Sequence, residues 1–189
     1  MDSNMLSQSP LAPARSLETA DVQYLRVASR VLHTGKPRSS RSGPTRSLFE
    51  DTIRIDCSES FPILTTKRVF WRGVVEELLF FIAGRTHAKY LQAQDVHIWD
   101  ENSTREFLDE RGLTDYPEGE LGPVYGAQWR GAAAETEHPS SCAVDQLQEA
   151  IDLLKNDPES RRILVNSWNV NDIRPVSYTH LTLPTICSV

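Results

Sequence analysis

The chain has 189 residues, 39% apolar and 24% charged, with a net charge of -6, an ordinary composition for a single domain with a real core. The acidic balance weighs against a nucleic-acid partner, and no apolar run reaches the length of a membrane span. Cys57, Cys142 and Cys187 are odd in number and widely spaced, without metal-ligand pairing, which points to a reducing, intracellular compartment.

Residues 1–20 are rich in Ser, Pro and Ala and read as a disordered leader. A helix is expected next, with Val22, Leu25, Ala28, Val31 and Leu32 on one face and Gly35 and Pro37 ending it. An arginine-rich loop over 36–46 follows, broken at Gly43-Pro44. "TIRIDC" alternates, so it predicts a half-buried strand in which Cys57 packs rather than reacts. "FWRGVVEELLFFIAG" is an apolar helix closed by Gly84, and "THAKYLQA" a short helix capped by Thr86. "STREFLDERG" carries a capping box, Ser103 to Glu106, and ends at Gly112. Val144, Leu147, Ile151 and Leu154 predict another amphipathic helix, halted at Asn156-Asp157-Pro158, and "RILVNSW" a buried strand. Helices with few strands and no βαβ alternation suggest the α+β class.

Glu77 is the sharpest candidate for chemistry. Arg72 stands four positions before Glu76 and can pair with it, whereas Glu77 shares its face with Gly73, Val74, Phe80 and Phe81. A carboxylate among apolar groups loses solvation and becomes a proton carrier nearer neutral pH; the bland alternative is a helix-edge glutamate reaching water or an unseen arginine. "HIWDEN" and "LGPVYGAQWR" are aromatic-polar clusters read as loops or strand ends. There Trp99, Asp100 and Asn102 suit a flat ligand and Tyr125 a cleft, or the tryptophans simply staple a core. Arg38, Arg41 and Arg46, then Lys67, Arg68 and Arg72, then Arg161 and Arg162, form basic clusters that suit a small anion or merely a solvated face. His87, His97 and His138 are scattered and carry no assignment, and no metal site is expected.

"FPILTTKRVFWRGVVEELLFFIAGRTHAKYL", "VHIWDEN", "GELGPVYGAQWR" and "VDQLQEAIDLLKNDPESRRILVNSWNVNDI" together resemble the thymidylate synthase family, in its order and near its spacing, over about Tyr24 to Ile173. The insert "STREFLDERGLTDYPEGE" resembles the eukaryotic type. The resemblance implies reductive methylation of dUMP to dTMP, with 5,10-methylenetetrahydrofolate giving carbon and hydride and a cysteine thiolate attacking the pyrimidine. It implies that Arg41 binds the nucleotide phosphate, and that Arg161 and Arg162 reach the phosphate of the partner subunit in a homodimer. By the same resemblance Glu77 organises proton transfers, and Tyr125 belongs to the active-site hydrogen-bond network. Ile98, Trp99 and Asn102 face the folate, with Lys67 and Phe70 as further folate contacts. No metal, membrane or nucleic-acid partner is implied. The expected location is the cytoplasm, with nucleus or mitochondrion as alternatives.

The sequence departs from the family in places. "RSGPT" is one residue short of R-[ST]-G-x-G-T, so Pro44 stiffens the loop of Arg41, and Phe80 stands where tryptophan is common. After W-N-x-x-D-I the family continues into M-A-L-P-P-C-H, whose nucleophilic cysteine would fall where this chain has Leu181. Cys187 lies beyond that place and lacks the following histidine. Val176 to Thr185, "VSYTHLTLPT", resembles one translated frame of a transposase-end sequencing adapter residue for residue. The expectation is therefore a leader over 1–20, the N-terminal part of a synthase domain over 21–173 and a non-native tail over 174–189. The fold would then be incomplete, without the C-terminal half of the sheet and active site, and the chain itself inactive. Two alternatives stay open: a pyrimidine nucleotide hydroxymethylase of the same fold, and a truncated, non-catalytic dimer partner.

Overall fold

In the computed structural model, which describes residues 18–40, 43–58, 61–131 and 144–169, the first helix begins where Thr19 offers a side-chain acceptor. Its hydroxyl takes the Val22 N–H at 3.4 Å, and α1 (Ala20–Thr34) runs from there to Gly35. The buried stripe is Gln23, Val27 and Val31, one ridge at a spacing of four. Of the expected apolar face, Val31 is buried, but Val22, Leu25 and Leu32 are about half exposed. The expected arginine-rich loop is instead an antiparallel hairpin, β1 (Lys36–Ser40) on β2 (Gly43–Ser47), registered from Lys36↔Ser47 to Ser40↔Gly43. Both strands are polar, so periodicity gave no sign of them.

"TIRIDC" does not form a strand. Ile53 and Ile55 are each 40% exposed, and Cys57 is a free, exposed thiol rather than a packed one. The reason lies in α1. The Gln23 carboxamide accepts the Arg54 N–H at 2.8 Å and donates to the Arg54 carbonyl at 2.6 Å, standing in for a neighbouring strand. Further along, Asp21 accepts the N–H groups of Thr65 and Thr66 and the Thr65 hydroxyl. The Thr65 hydroxyl above all holds that carboxyl below its usual range.

The chain divides between Val69 and Phe70 into two compact units. The second opens with α2 (Trp71–Ile82), closed by Gly84 at φ 67°, where Gly84 and Arg85 return their N–H groups to Phe81 and Phe80. The short α3 (Lys89–Gln92) is not capped by Thr86. That residue is buried, and its carbonyl accepts the Leu121 N–H at 2.9 Å beside an isolated bridge of His87 to Glu120. A 3-10 turn at Asp100–Asn102 leads to α4 (Arg105–Glu110). The helix starts one residue later than the capping box predicts: Thr104 accepts the Phe107 N–H, while the buried Ser103 hydroxyl donates to the Asp100 carbonyl.

The segment read as a loop at "LGPVYGAQWR" contains α5 (Tyr125–Arg130), and α6 (Gln146–Asn156) is capped by Asp145. Val144 falls outside α6, whose buried residue is Ala150. "RILVNSW" is not a strand either, since Leu164 is 73% and Trp168 44% exposed. Here Gln146 repeats the device of α1: its carboxamide accepts the Asn166 N–H at 2.8 Å and donates to the Asn166 carbonyl at 3.0 Å.

Helices with a small antiparallel sheet are compatible with the expected α+β class. No helix among the described residues is long and apolar enough to cross a membrane. The core of the second unit is Phe80, Phe81, Leu91, Val96, Trp99, Leu121, Val124 and Tyr125, with Tyr90 and Trp129 packed on it. Phe81 is its hub, with ring centroids 5.5 Å from Phe80, 5.2 Å from Tyr125 and 5.8 Å from Trp129. The approach of α5 to α2 needs Gly126, because a Cβ there would stand 2.7 Å from the Phe81 carbonyl oxygen. Gly126→Ala is expected to lower stability by about 1–3 kcal/mol through overpacking against backbone, read from urea-unfolding midpoints.

Candidate active site around Glu77

Gly73, Glu77, Phe80 and Phe81 lie three to four residues apart on α2, so the carboxylate projects beside the apolar face that packs into the core. Glu77 pairs with Trp99, whose indole N–H donates to Oε1 at 2.7 Å. Trp99 itself is 5% exposed, held edge-on to Phe81 at 6.3 Å and to Tyr125 at 6.3 Å. An indole buried this deeply brings an N–H that must be satisfied, and Glu77 satisfies it. Most of the Trp99 ring is packed within the core of the second unit.

Tyr125 opens α5 and is buried against the same rings, edge-on to Phe81 at 90°. Burial, and after it the negative charge of Glu77, pushes its phenol up to about 12. The phenol therefore stays protonated at any ordinary pH, and it senses the charge on Glu77. A half-buried carboxylate, a buried indole N–H and a buried phenol in one cluster can hold a proton donor and a proton acceptor side by side in a poorly solvated place.

The remaining candidates are placed less centrally. Ile98 is 47% exposed beside Trp99, and Asn102 is half-buried, its N–H bonded to the Trp99 carbonyl at 3.1 Å. Phe70 is 51% exposed, with the Arg72 guanidinium 5.4 Å from its centroid. Arg72 does not hold Glu76, as expected from spacing; it is drawn to Asp95 and to the carbonyls of Gln94 and Asp95. Arg161 and Arg162 are exposed on the turn after α6. Lys67, in the first unit, has its ammonium 5.8 Å from the Tyr24 ring centroid. Arg41, the leader up to residue 17 and the tail from 170 onward lie outside the described residues.

Sequence reasoning missed a polar network beside the cluster. Trp129 donates its indole N–H to Ser167 at 2.5 Å, Gln128 donates to the Pro123 carbonyl at 3.1 Å, and Gln146 donates to the Gln128 carbonyl at 2.8 Å. Asn169 reaches the Gln128 carboxamide oxygen at 3.4 Å. Its one sequence signal is amide side chains within otherwise apolar stretches, at Gln128 and Gln146.

Comparison with known proteins places the chain in a family. The family model described as "Thymidylate synthase" matches residues 22–185. The thymidylate synthase of Bos taurus is 48% identical over 158 residues, covering 81% of this chain and 45% of the relative. That of Homo sapiens is 44% identical over 180 residues, covering 89% and 58%. A bifunctional dihydrofolate reductase-thymidylate synthase of Zea mays is 46% identical over 162 residues, 83% of this chain and 31% of the relative. The chain belongs to the thymidylate synthase family, and it spans between about a third and somewhat over half the length of these relatives.

The tyrosine provides a test of the cluster. An acid whose folded value is about 12, against 10.0 ordinarily, contributes stability that is complete below pH 10 and lost as pH rises toward 12. Urea midpoints should fall over that window in the parent and fall less in Tyr125→Phe. Glu77→Gln should lower the phenol value, read by phenolate absorbance, without returning it to the ordinary one, because burial is the larger cause.

Proposed function

We propose that this chain represents part of a synthase that reductively methylates dUMP to dTMP with 5,10-methylenetetrahydrofolate, and that its own residues supply the proton-handling and folate-side portion of the site. The observation that carries the reading is the Trp99 indole donating to Glu77 at 2.7 Å beside the high-pKa phenol of Tyr125. With one carboxylate oxygen fixed by the indole, the other is free to be aimed at a pyrimidine carbonyl and to exchange a proton there. Tyr125, kept neutral, retains an O–H that it can donate within the hydrogen-bond network of the site.

The exposed apolar side chains of Phe70 and Ile98, with the half-buried amide of Asn102, fit a flat heteroaromatic co-substrate; a role for Lys67 toward its carboxylates rests on the family resemblance alone. When bound, the folate supplies the carbon and the hydride. Arg41, Arg161 and Arg162 suit a phosphate dianion, the latter two from the partner subunit of a homodimer, because guanidinium forks match phosphate oxygens. The odd, widely spaced cysteines support a cytoplasmic setting.

The 189-residue chain by itself is proposed to be inactive. Leu181 stands where the family carries its nucleophile, and Cys187 has no following histidine. A nucleophile must be a thiolate to attack, and nothing in "TICSV" supplies a cation beside that sulfur. The resemblance of Val176 to Thr185 to an adapter supports a tail that is not native.

The assay is dTMP formation from dUMP and 5,10-methylenetetrahydrofolate. The chain as written should form none. The native transcript, read across codon 173 and expressed, should give an active product in which Glu77→Gln lowers kcat by about 10²- to 10⁴-fold. Turnover by the 189-residue chain, or undiminished kcat in the glutamine variant, contradicts the reading.

A further inference from the structure

His97 stands between two carboxylates. Its Nδ1 lies 2.7 Å from Asp100 Oδ2, and its Nε2 lies 3.4 Å from Asp95 Oδ1. A neutral imidazole carries one N–H and would turn a lone pair toward one of these anions, whereas the imidazolium donates to Asp100 and forms an ion pair with Asp95. The geometry thus selects one protonation state before any titration is considered.

Both carboxylates are themselves held. Asp95 sits in the left-handed region at φ 54°, uncommon outside glycine, and Arg72 of α2 secures it by donating to its carboxylate at 3.3 Å and its carbonyl at 3.0 Å. Asp100 accepts from the neutral Gln92 of α3 at 3.0 Å. Among the described residues the charged groups facing His97 are Asp95 and Asp100, with Arg72 behind Asp95. When His97 is protonated, two cations meet two anions; when it is neutral, the turn carries an excess negative charge.

This cluster brackets the segment that presents Ile98, Trp99 and Asn102. Asp100 returns its N–H to the His97 carbonyl at 3.3 Å, and Asn102 its N–H to the Trp99 carbonyl. Arg72, which anchors Asp95, also lies over Phe70. One chain of charged contacts thus links Phe70 to Arg72, Asp95, His97 and Asp100.

We propose that His97 is a positioning residue which, protonated between Asp95 and Asp100, clamps the turn 95–102 and thereby strengthens binding of the reduced folate as pH falls. The identity of the ligand rests on the function proposed above; the clamp does not. The hydrogen bond to Asp100, outweighing desolvation and helped by Asp95, raises the imidazole above its ordinary value. Burial alone would raise Asp100, but its bonds from Gln92 and His97 prevail and hold it low.

The signs follow. The histidine contribution is complete below the ordinary value near ~6.5 and is lost as pH rises through the raised value. The aspartate contribution is lost as pH falls through the depressed carboxyl value. The clamp is closed between those limits. Its side chains are largely exposed, so added salt weakens it.

The test is an NMR pH titration of the full chain, following the His97 ring protons and the Trp99 indole N–H, with circular dichroism on each variant. The ring should titrate above ~6.5, and the indole resonance should move with the same midpoint. Asp100→Asn should lower that midpoint. His97→Lys, a permanent cation, should keep the indole at its low-pH position throughout, and His97→Gln at its high-pH position. If His97→Gln fails to fold, the other two variants still decide. An indole unmoved through the His97 titration, or a midpoint unchanged in Asp100→Asn, overturns the clamp. Affinity for 5,10-methylenetetrahydrofolate should fall as pH rises in the parent and stay level in His97→Lys. Equal pH dependence in both overturns the proposed effect on binding. Absence of folate binding at every pH, with the indole still following His97, removes the folate reading and leaves the clamp standing.

Discussion

The hydrogen bond from the Trp99 indole to Glu77 is the constraint around which the second unit is organised. It joins side chains 22 positions apart in sequence, and it needs α2 and the 96–102 turn at a fixed separation. That separation is set by apolar packing. Phe81 meets Trp99, Tyr125 and Trp129 edge-on, an arrangement worth about 0.5–1.5 kcal/mol per pair beyond area burial. The absence of a Cβ at Gly126 lets α5 lie close enough for Tyr125 to join the same cluster. Leaving the indole N–H unpaired in this core would cost about 1–3 kcal/mol, so the core and the carboxylate orient one another.

A second theme is substitution of glutamine for a neighbouring strand. Gln23 on α1 and Gln146 on α6 each grip one residue of an extended segment by both its N–H and its carbonyl. A primary amide presents a donor and an acceptor much as a peptide group does, so it closes the backbone account locally. It cannot cover side chains. Ile53, Ile55, Leu164 and Val165 therefore remain partly exposed although their segments carry strand-like patterns.

Much of the fold was legible because helices announce themselves locally. The 3.6-residue period marked α1, α2 and α6, and Gly84 marked the end of α2, where its φ of 67° suits a residue without a side chain. The strands were misread for a physical reason. Alternation in "TIRIDC" and "RILVNSW" reports a preference for half-buried extended chain, but a strand exists only with a partner, and none pairs with them among the described residues. The β1–β2 hairpin failed in the opposite sense, having pairing without an apolar pattern. At the site, Glu77 was legible from its apolar helix face, whereas its bond to Trp99 depends on tertiary packing that no spacing encodes. His97 drew no attention in sequence, since its two aspartates meet it only once the turn is folded.

The central claim is that Glu77 and Trp99 form an energetically coupled pair rather than two neighbours in a core. A double-mutant cycle on urea stability tests this most directly, with Trp99→Phe removing the N–H but keeping an aromatic ring, and Glu77→Leu removing the carboxylate. The account predicts a coupling energy of about 1 kcal/mol or more, the usual size for a hydrogen bond to a charged group with restricted solvent. Additive effects of the two substitutions, within the ~0.3–0.5 kcal/mol expected of independent sites, would contradict it.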